Sequence, residues 1–258
     1  MPSPEITALG QVGVLLETGT HRLLIDPYLS NSVGEQFGPE FNRLIEPPFN
    51  GNSAPQVDWL VLTHAHLDHT DPSTLSPLLA SQPDVQVIAP YESRQILRGI
   101  GFYAARVPQT SWTDLAPGLA IRAVPAAHTQ VQRSEDGELR EVGYLLRVGA
   151  CTLYHAGDTI PDAEIIAAIG DEAIDIALLP VNERNYYRDA KGIIGNMTLR
   201  EAFRMAADLK VNTLIPTHWD MFEPNSVFPE EIELVHRLLS PPFTLQVLRT
   251  GESLTLAG

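Results

Sequence analysis

The chain has 258 residues, with 17 basic and 32 acidic side chains and a formal net charge of −15. Such a surface repels phosphate backbones and anionic lipid, and no apolar run approaches the roughly 20 residues of a membrane helix, so we expect no nucleic acid and no membrane as partner. The single cysteine, Cys151, excludes an intrachain disulfide, and the start lacks a secretory signal pattern, so we expect a cytoplasmic protein.

The first elements along the chain are predicted to be strands. Short apolar runs, "EITALG", "VGVLLET" and "HRLLIDP", are separated by turn residues. The next stretch, Tyr28 to Gln56, is rich in Gly, Pro, Asn and Ser, and it carries Phe37, Phe41 and Phe49. Because loops of this length are usually functional lids or disordered segments, and aromatic residues favour a lid, we predict that this stretch covers a site.

From Val57 onward, predicted strands alternate with predicted helices. The helices are "PSTLSPLLAS", "YESRQILRGI", "PDAEIIAAIG", Thr198 to Leu209 and "PEEIELVHRLL". The strands are "VDWLVLT", "VQVIAP", "LAIRAVPA", "EVGYLLRV", "CTLYHA", "IDIALLPV" and "NTLIP", with "FTLQVLR" closing the chain. Thr198 and Glu201 form a capping-box pair. The pattern predicts an α/β protein of two sheets enclosed by helices, and the lack of a linker predicts a single domain over residues 1–258.

A cluster of metal-ligand side chains follows the apolar run of "LVLTHAHLDHTD". His64, His66, Asp68 and His69 lie within six positions. In an extended segment, residues two apart project to the same side, so the first two imidazoles can face one ion. Packing alone does not explain such a concentration of ligand groups, and the cluster predicts a metal site.

Three isolated residues repeat this placement after other predicted strands. His128 follows "AIRAVPA", Asp158 lies in "GDT" after "TLYHA", and His218 follows "TLIPT". Ligands of α/β proteins collect at the ends of strands, so we expect seven side chains, five histidines and two aspartates, to converge. The remaining histidines are interpreted as ordinary core or loop residues: His21, His155 and His236.

These residues resemble a known pattern. "THAHLDH" is similar to the HxHxDH signature of the metallo-β-lactamase superfamily, and His128, "GDT", "THWD" and "LLIDPYLS" with Asp26 occur in the family's order. Within the superfamily, "GIIGNMTLREAFRMAADL" and "LIPTHWDMF" resemble the L-ascorbate-6-phosphate lactonase-like branch. The best-known lactonase of that branch is longer than this chain.

The resemblance implies a four-layer αββα sandwich of two similar halves, with the metal site at one edge. It implies two divalent ions. One is held by His64, His66 and His128, the other by Asp68, His69 and His218, and Asp158 bridges them. The wider family favours zinc and the branch favours manganese, and imidazole and carboxylate ligands accept both.

This chemistry predicts a metal-dependent hydrolase that uses a metal-bound hydroxide on a small anionic substrate, with a lactonase-like reaction. Asp158, as the bridge, and Asp68, as a candidate general base if the second metal site is empty, are the predicted catalytic carboxylates. A phosphodiesterase of the same fold is the nearest alternative. A di-iron oxidoreductase and a non-catalytic metal-binding protein are further alternatives, and a homo-oligomer stays open.

The stretch "NERNYYRDAKGIIGN" is unusually basic for so acidic a chain. It follows a predicted strand, so we expect it to start near the metal edge and to hold a phosphate or carboxylate. The predicted substrate-binding residues come from this stretch and from "THWD": Asn182, Arg184, Arg188, Lys191, Asn196 and Asp220.

Overall fold

Two β-sheets form the centre of the computed structural model, which describes residues 3–256. In chain order, the strands are β1 (Glu5–Gly10), β2 (Gly13–Glu17), β3 (Arg22–Ile25), β4 (Trp59–Val61), β5 (Gln86–Ile88), β6 (Thr113–Ala116), β7 (Leu119–Pro125), β8 (Val142–Val148), β9 (Cys151–His155), β10 (Ile176–Pro180), β11 (Thr213–Thr217), β12 (Thr244–Leu245) and β13 (Ser253–Thr255). The α-helices are α1 (Ser32–Phe37), α2 (Pro72–Ser81), α3 (Tyr91–Gly99), α4 (Ala163–Ile169), α5 (Tyr186–Asp189), α6 (Leu199–Asp208) and α7 (Pro229–Leu239). Two short 3₁₀ helices are η1 (Pro39–Phe41) and η2 (Glu223–Asn225).

The two sheets follow one plan. The first has the order β13-β1-β2-β3-β4-β5 and the second β12-β11-β10-β9-β8-β7-β6. Each begins with antiparallel hairpins and continues with parallel strands: β3, β4 and β5 in the first sheet, and β9 to β12 in the second. Parallel neighbours need crossover connections, and the helices supply most of them. The structure therefore has two halves of similar build.

Successive side chains of each strand point to opposite faces of its sheet. This alternation creates one inner core between the two sheets and one outer core between each sheet and its helices. In β3, Leu23 and Ile25 face the second sheet and share a cluster with Tyr144 and Leu178, whereas Leu24 faces outward. The outer face of the first sheet packs against α2 and α3, and the outer face of the second packs against α4 and α6. The layers are helix, sheet, sheet and helix, as the sequence predicted.

Local sequence signals predicted the boundaries of several helices correctly. Helix α2 spans the predicted "PSTLSPLLAS", and Asp71 caps it by accepting from the backbone N–H groups of Ser73 and Thr74. Helix α6 begins with the predicted capping box of Thr198 and Glu201. Among residues 3–256, no helix has the length and apolarity needed to cross a membrane.

The end of the chain differs from the prediction of a single closing strand over "FTLQVLR". Only Thr244–Leu245 pair with β11. The chain then crosses to the other sheet, where Ser253 of β13 pairs with Thr7 of β1. Apolar runs of this length do not specify which sheet edge they join, so the sequence did not distinguish the two outcomes. The structure also adds β6, α1 and α5, which the sequence pattern did not predict.

Cys151 begins β9 and is 4% exposed. Burial, with the nearby carboxylate of Asp175, raises the pKa of its thiol to about 11. We therefore expect the native protein to resist alkylation by iodoacetamide at pH 8, because the reactive thiolate is almost absent and is shielded. Mass spectrometry should show labelling only after unfolding; rapid labelling of the native protein would contradict this.

Candidate metal centre

The seven predicted side chains lie together at one edge of the sandwich. The loop after β4 carries His64, His66, Asp68 and His69, while β7, β9 and β11 end just before the other three, His128, Asp158 and His218. The carboxyl ends of the parallel strands in both sheets meet at this edge, so short connections can place ligand groups from distant parts of the chain side by side.

The ligand atoms form two groups. The first consists of His64, His66, His128 and Asp158, whose ligand atoms all lie within 4.8 Å of one another. The second is Asp68, His69 and His218, within the same limit. Asp158 also faces the second group: its Oδ1 lies 3.4 Å from His69 Nε2 and its Oδ2 lies 3.3 Å from His218 Nε2. Its carboxylate thus lies beside both groups, which is the placement that a bridging ligand would need.

Three buried ligand atoms lack any hydrogen-bond partner among the described residues: His64 Nε2, His69 Nε2 and Asp158 Oδ1. Buried polar atoms are normally paired, so atoms that converge without protein partners are suited to bind a common ligand. Imidazole nitrogen and carboxylate oxygen are suitable donors for zinc, manganese and iron. The residues present therefore fit a divalent metal centre.

Asp26 orients two of the imidazoles from behind. Its Oδ2 accepts from His69 Nδ1 at 2.7 Å and from Thr63 Oγ1 at 2.5 Å, and its Oδ1 accepts from Thr63 N at 2.8 Å. Thr63 Oγ1 in turn lies 3.1 Å from His64 Nδ1. These contacts place the ring protons on Nδ1, so the Nε2 lone pairs face the centre.

Unusual backbone conformations position the ligands. Asp26 and His218 both have positive φ, 42° and 61°, which costs free energy for residues other than glycine and is common at functional sites. Gly157 precedes Asp158 with φ of 61°, and a Cβ there would lie 2.9 Å from Thr63 Cβ. Only glycine therefore allows "GDT" to approach the strand that leads to the histidine cluster.

The charge of the site is set by burial and by neighbouring groups. Burial, and then His69 and His66, hold the pKa of His64 well below its usual value, so this ring is neutral and able to coordinate. Burial also lowers the pKa of His218, but Asp158 and Asp68 outweigh this effect and raise it to about 9. The carboxylates therefore attract positive charge, as protons on nearby rings or as a metal ion in their place.

Gln11 is a residue of this site that the sequence analysis missed. It lies in the turn between β1 and β2 with φ of 55°, and its side-chain Nε2 donates to Asp68 Oδ2 at 2.7 Å. Its carbonyl accepts from His218 N at 2.7 Å, and its own N–H donates to Asp220 Oδ1 at 3.1 Å. Nothing in the turn "GQVG" indicates these contacts, because their partners are distant in sequence.

Replacing Gln11 with alanine should weaken metal binding by the second group and spare the first. The amide fixes the Asp68 carboxylate, and removing such a supporting hydrogen bond typically costs tenfold to a hundredfold in metal affinity. Titration of the metal-free variant with Co²⁺ should show the affinity of the first group unchanged from the native protein and the affinity of the second group reduced. Glutamine at a surface position, Gln95→Ala, is the control, and an equal loss at both affinities would contradict the assignment.

Most of the predicted substrate-binding residues make internal contacts instead. Asn196 Nδ2 donates to Asn182 Oδ1 at 2.9 Å, and Asp220 accepts from Gln11 N and Thr250 Oγ1. Arg184 pairs with Glu201 and donates to Asn196 O. These side chains hold loops near the site in place. The geometry therefore favours a structural role for them over the predicted contact with substrate.

Arg188 shows the same correction most clearly. It is 6% exposed, and its guanidinium donates to the carbonyl oxygens of Glu183, Pro224 and Ser226 at 2.7, 3.3 and 2.8 Å. Because these N–H donors already bind backbone carbonyls, the guanidinium has no free pair of donors with which to hold an anion. Of the predicted cations, Lys191 alone lines the cavity above the metal ligands.

That cavity has a volume of about 440 Å³. Its floor contains His66, Asp68, His128, Asp158 and His218, and one wall comes from the predicted lid through Val33, Phe37, Glu40 and Phe41. The predicted position of the lid is therefore confirmed for residues 33–41. Phe49 instead packs against the outer core of the first sheet.

The base of this lid is fastened to the metal-ligand loop by Asp71. Its carboxylate accepts from Ser30 Oγ at 2.7 Å and Ser32 Oγ at 2.9 Å while it caps α2. Within the lid itself, the hydroxyl of Tyr28 accepts from Val33 N at 3.1 Å. The wall of the cavity is therefore tied to the same loop that carries the histidine cluster.

Residues 21–219 match the family model described as a beta-lactamase superfamily domain. The chain belongs to the beta-lactamase superfamily. A relative, a UPF0173 metal-dependent hydrolase from Pyrococcus furiosus, is 29% identical over 98% of this chain and 99% of its own length. The prediction of the superfamily is thus confirmed.

Two solved structures share the fold. A metallo hydrolase from Ignicoccus hospitalis has a TM-score of 0.73 at 22% identity, with both chains fully covered. An isothiocyanate hydrolase from Delia radicum gut bacteria has a TM-score of 0.77 at 19% identity, covering 98% of this chain and 100% of its own. These matches confirm the αββα fold that the sequence predicted. The predicted class, a metal-dependent hydrolase, is confirmed by the family model and by the relative from Pyrococcus furiosus.

A third solved structure is relevant to the oxidoreductase alternative. CmlA, a diiron beta-hydroxylase from Streptomyces venezuelae, has a TM-score of 0.70 at 16% identity, and the similarity covers 99% of this chain but 55% of CmlA. At that identity the likeness concerns the fold alone. The metal-dependent hydrolase class is the better supported of the two, because it is the class of the relative from Pyrococcus furiosus.

Proposed function

We propose that this chain hydrolyses a small lactone, ester or related carbonyl compound at a centre of two divalent ions, zinc or manganese. The observation that carries the proposal is the pair of ligand groups on either side of Asp158 at the floor of an open cavity. In this proposal His64, His66 and His128 hold one ion, and Asp68, His69 and His218 hold the other.

Ions bound there would act as Lewis acids on the scissile bond and lower the pKa of a coordinated water. The protein contributes the orientation. Asp26 holds the His69 ring, Gln11 holds the Asp68 carboxylate, and the lid wall limits the access of bulk water. Burial raises the pKa of Asp68, but His69 and His218 outweigh this effect and keep it below its ordinary value. Asp68 is therefore ionised, as a metal ligand requires, and it becomes a candidate general base only where the second ion is not bound.

A carbon electrophile fits the site better than a phosphodiester. The resemblance to the lactonase-like branch favours a lactone, and a solved structure with the same fold is an isothiocyanate hydrolase, whose reacting atom is also carbon. A phosphodiester brings a permanent negative charge, and, apart from the histidines of the ligand groups, Lys191 is the one basic side chain among the described residues that line the cavity. We further propose that residues 1–258 act as one domain, in the cytoplasm.

Metal reconstitution combined with a substrate screen tests this function. Metal-free protein is loaded with Zn²⁺, Mn²⁺ or Fe²⁺, the bound metal is counted by elemental analysis, and lactones, aryl esters, isothiocyanates and phosphodiesters are assayed. We expect about two ions per chain and metal-dependent hydrolysis of at least one carbonyl-type substrate. Protein that binds two ions yet hydrolyses phosphodiesters alone, or nothing in the screen, would contradict the proposal.

A further inference from the structure

The walls of the cavity differ in character from its floor. Above the ligand residues, the lid contributes Phe37 and Phe41, and the facing segment 191–194 contributes Ile193 and Ile194. Phe222 joins the lid side. The walls are therefore mainly apolar, although the chain as a whole is strongly acidic.

The aromatic side of the cavity is a packed array. Phe37 and Phe41 have ring centroids 6.4 Å apart with edge-to-face geometry, and Phe41 and Phe222 are 6.2 Å apart in the same arrangement. Tyr28 extends the array behind Phe222 at 6.0 Å. Such edge-to-face contacts fix ring positions, so the wall is a preformed surface.

The mouth of the cavity leaves apolar surface uncovered. Phe37 is 58% exposed and Ile194 is 47% exposed, and they belong to the two facing walls. Large exposed apolar side chains next to a site commonly mark where a ligand binds. An apolar group that enters between these walls would remove both side chains from water.

The charged groups of the walls are few and of opposite sign. Lys191 lies on one wall and Glu40 on the other, and the two other nearby cations, Arg184 and Arg188, are engaged by internal partners. Phosphate groups are usually held by arginine forks or several donors. A phosphate carried by the substrate away from the scissile bond would meet one lysine and one carboxylate, and would gain little.

We propose that the substrate carries an uncharged apolar group, about the size of an aromatic ring, which packs against Phe37 and Phe41 beside the scissile bond. This inference rests on the proposed function, because it assumes that the reacting group lies over the metal ligands. It excludes a phosphorylated lactone as the preferred substrate. The substrate after which the lactonase-like branch is named carries a phosphate, and the walls of this cavity offer that phosphate too few donors.

Binding of matched metal-chelating probes tests the inference without turnover. Acetohydroxamate and benzohydroxamate carry the same chelating group, and they differ only in a methyl or a phenyl substituent. Calorimetry on the metal-loaded protein should give roughly tenfold to a hundredfold tighter binding of the phenyl probe, in line with the apolar area that a ring buries. Phosphonoacetohydroxamate should bind no tighter than acetohydroxamate.

Two variants assign the preference to the wall. Phe37→Ala and Phe41→Ala should reduce the preference for the phenyl probe by about tenfold, and leave acetohydroxamate binding unchanged, which shows that the fold and the metals are intact. Phe228→Ala is the matched control, because Phe228 is 72% exposed and lies outside the cavity lining. It should retain the full preference.

The outcomes separate the two proposals. Equal binding of the methyl and phenyl probes, or a preference for the phosphonate, would overturn the inference while leaving the metal centre in place. If metal-loaded protein binds none of the three hydroxamates, the open metal centre of the proposed function is wrong, and the inference is overturned with it.

Discussion

Replacing Asp158 with alanine should deplete metal from both ligand groups and abolish most activity. Its two carboxylate oxygens face His69 on one side and His128 and His218 on the other, at 3.3 to 3.4 Å. Removing this carboxylate would therefore take away a ligand atom that lies beside the imidazoles of both groups. Loss of one preorganised charge in such a site commonly lowers catalytic efficiency by roughly 10²–10³-fold, and loss of metal adds to that.

Elemental analysis of the purified variant is the direct measurement, with catalytic efficiency on the best substrate of the native protein as the second. Asp171→Ala is the matched control, since Asp171 is an exposed carboxylate in a turn. It should keep full metal content and activity. Full metal content in Asp158→Ala would refute the bridging role even if activity falls.

Replacing Asp26 with asparagine should retain the fold but impair the second ligand group. The carboxylate accepts from three donors, on Thr63 N, Thr63 Oγ1 and His69 Nδ1. An amide has one acceptor oxygen, so its NH₂ group faces either Thr63 N or the pair of Thr63 Oγ1 and His69 Nδ1. When it faces His69, the ring proton moves to Nε2, and the lone pair that coordinates metal is lost.

The expected effects of Asp26→Asn separate into stability and affinity. A buried donor left without its acceptor costs about 1–3 kcal/mol, which denaturant unfolding would measure. Co²⁺ affinity at the second group should fall by at least roughly tenfold to a hundredfold. Asp84→Asn, an exposed aspartate, is the control. Unchanged Co²⁺ affinity alongside reduced stability would show that Asp26 only supports the fold.

Local sequence signals determined much of this protein. The capping residues Asp71 and Thr198 fixed the starts of α2 and α6, because a cap acts within three residues of the helix. The cluster from His64 to His69 indicated a metal site for a similar reason, since neighbouring positions on one turn need no knowledge of the rest of the fold. The positions of His128, Asp158 and His218, each just after a predicted strand, extended this prediction to the full ligand set, because parallel strands end at a common edge of the sheet.

Tertiary structure alone decided the contacts between distant segments. The sequence could not indicate that Gln11 holds Asp68, because the two lie 57 positions apart and the turn "GQVG" has no distinguishing pattern. It could not show that Arg188 binds three backbone carbonyls while Lys191, three residues later, lines the cavity. The sheet joined by β13 was likewise fixed only by pairing with β1. Periodicity reports which residues are buried, whereas their partners depend on how the two sheets and their loops pack.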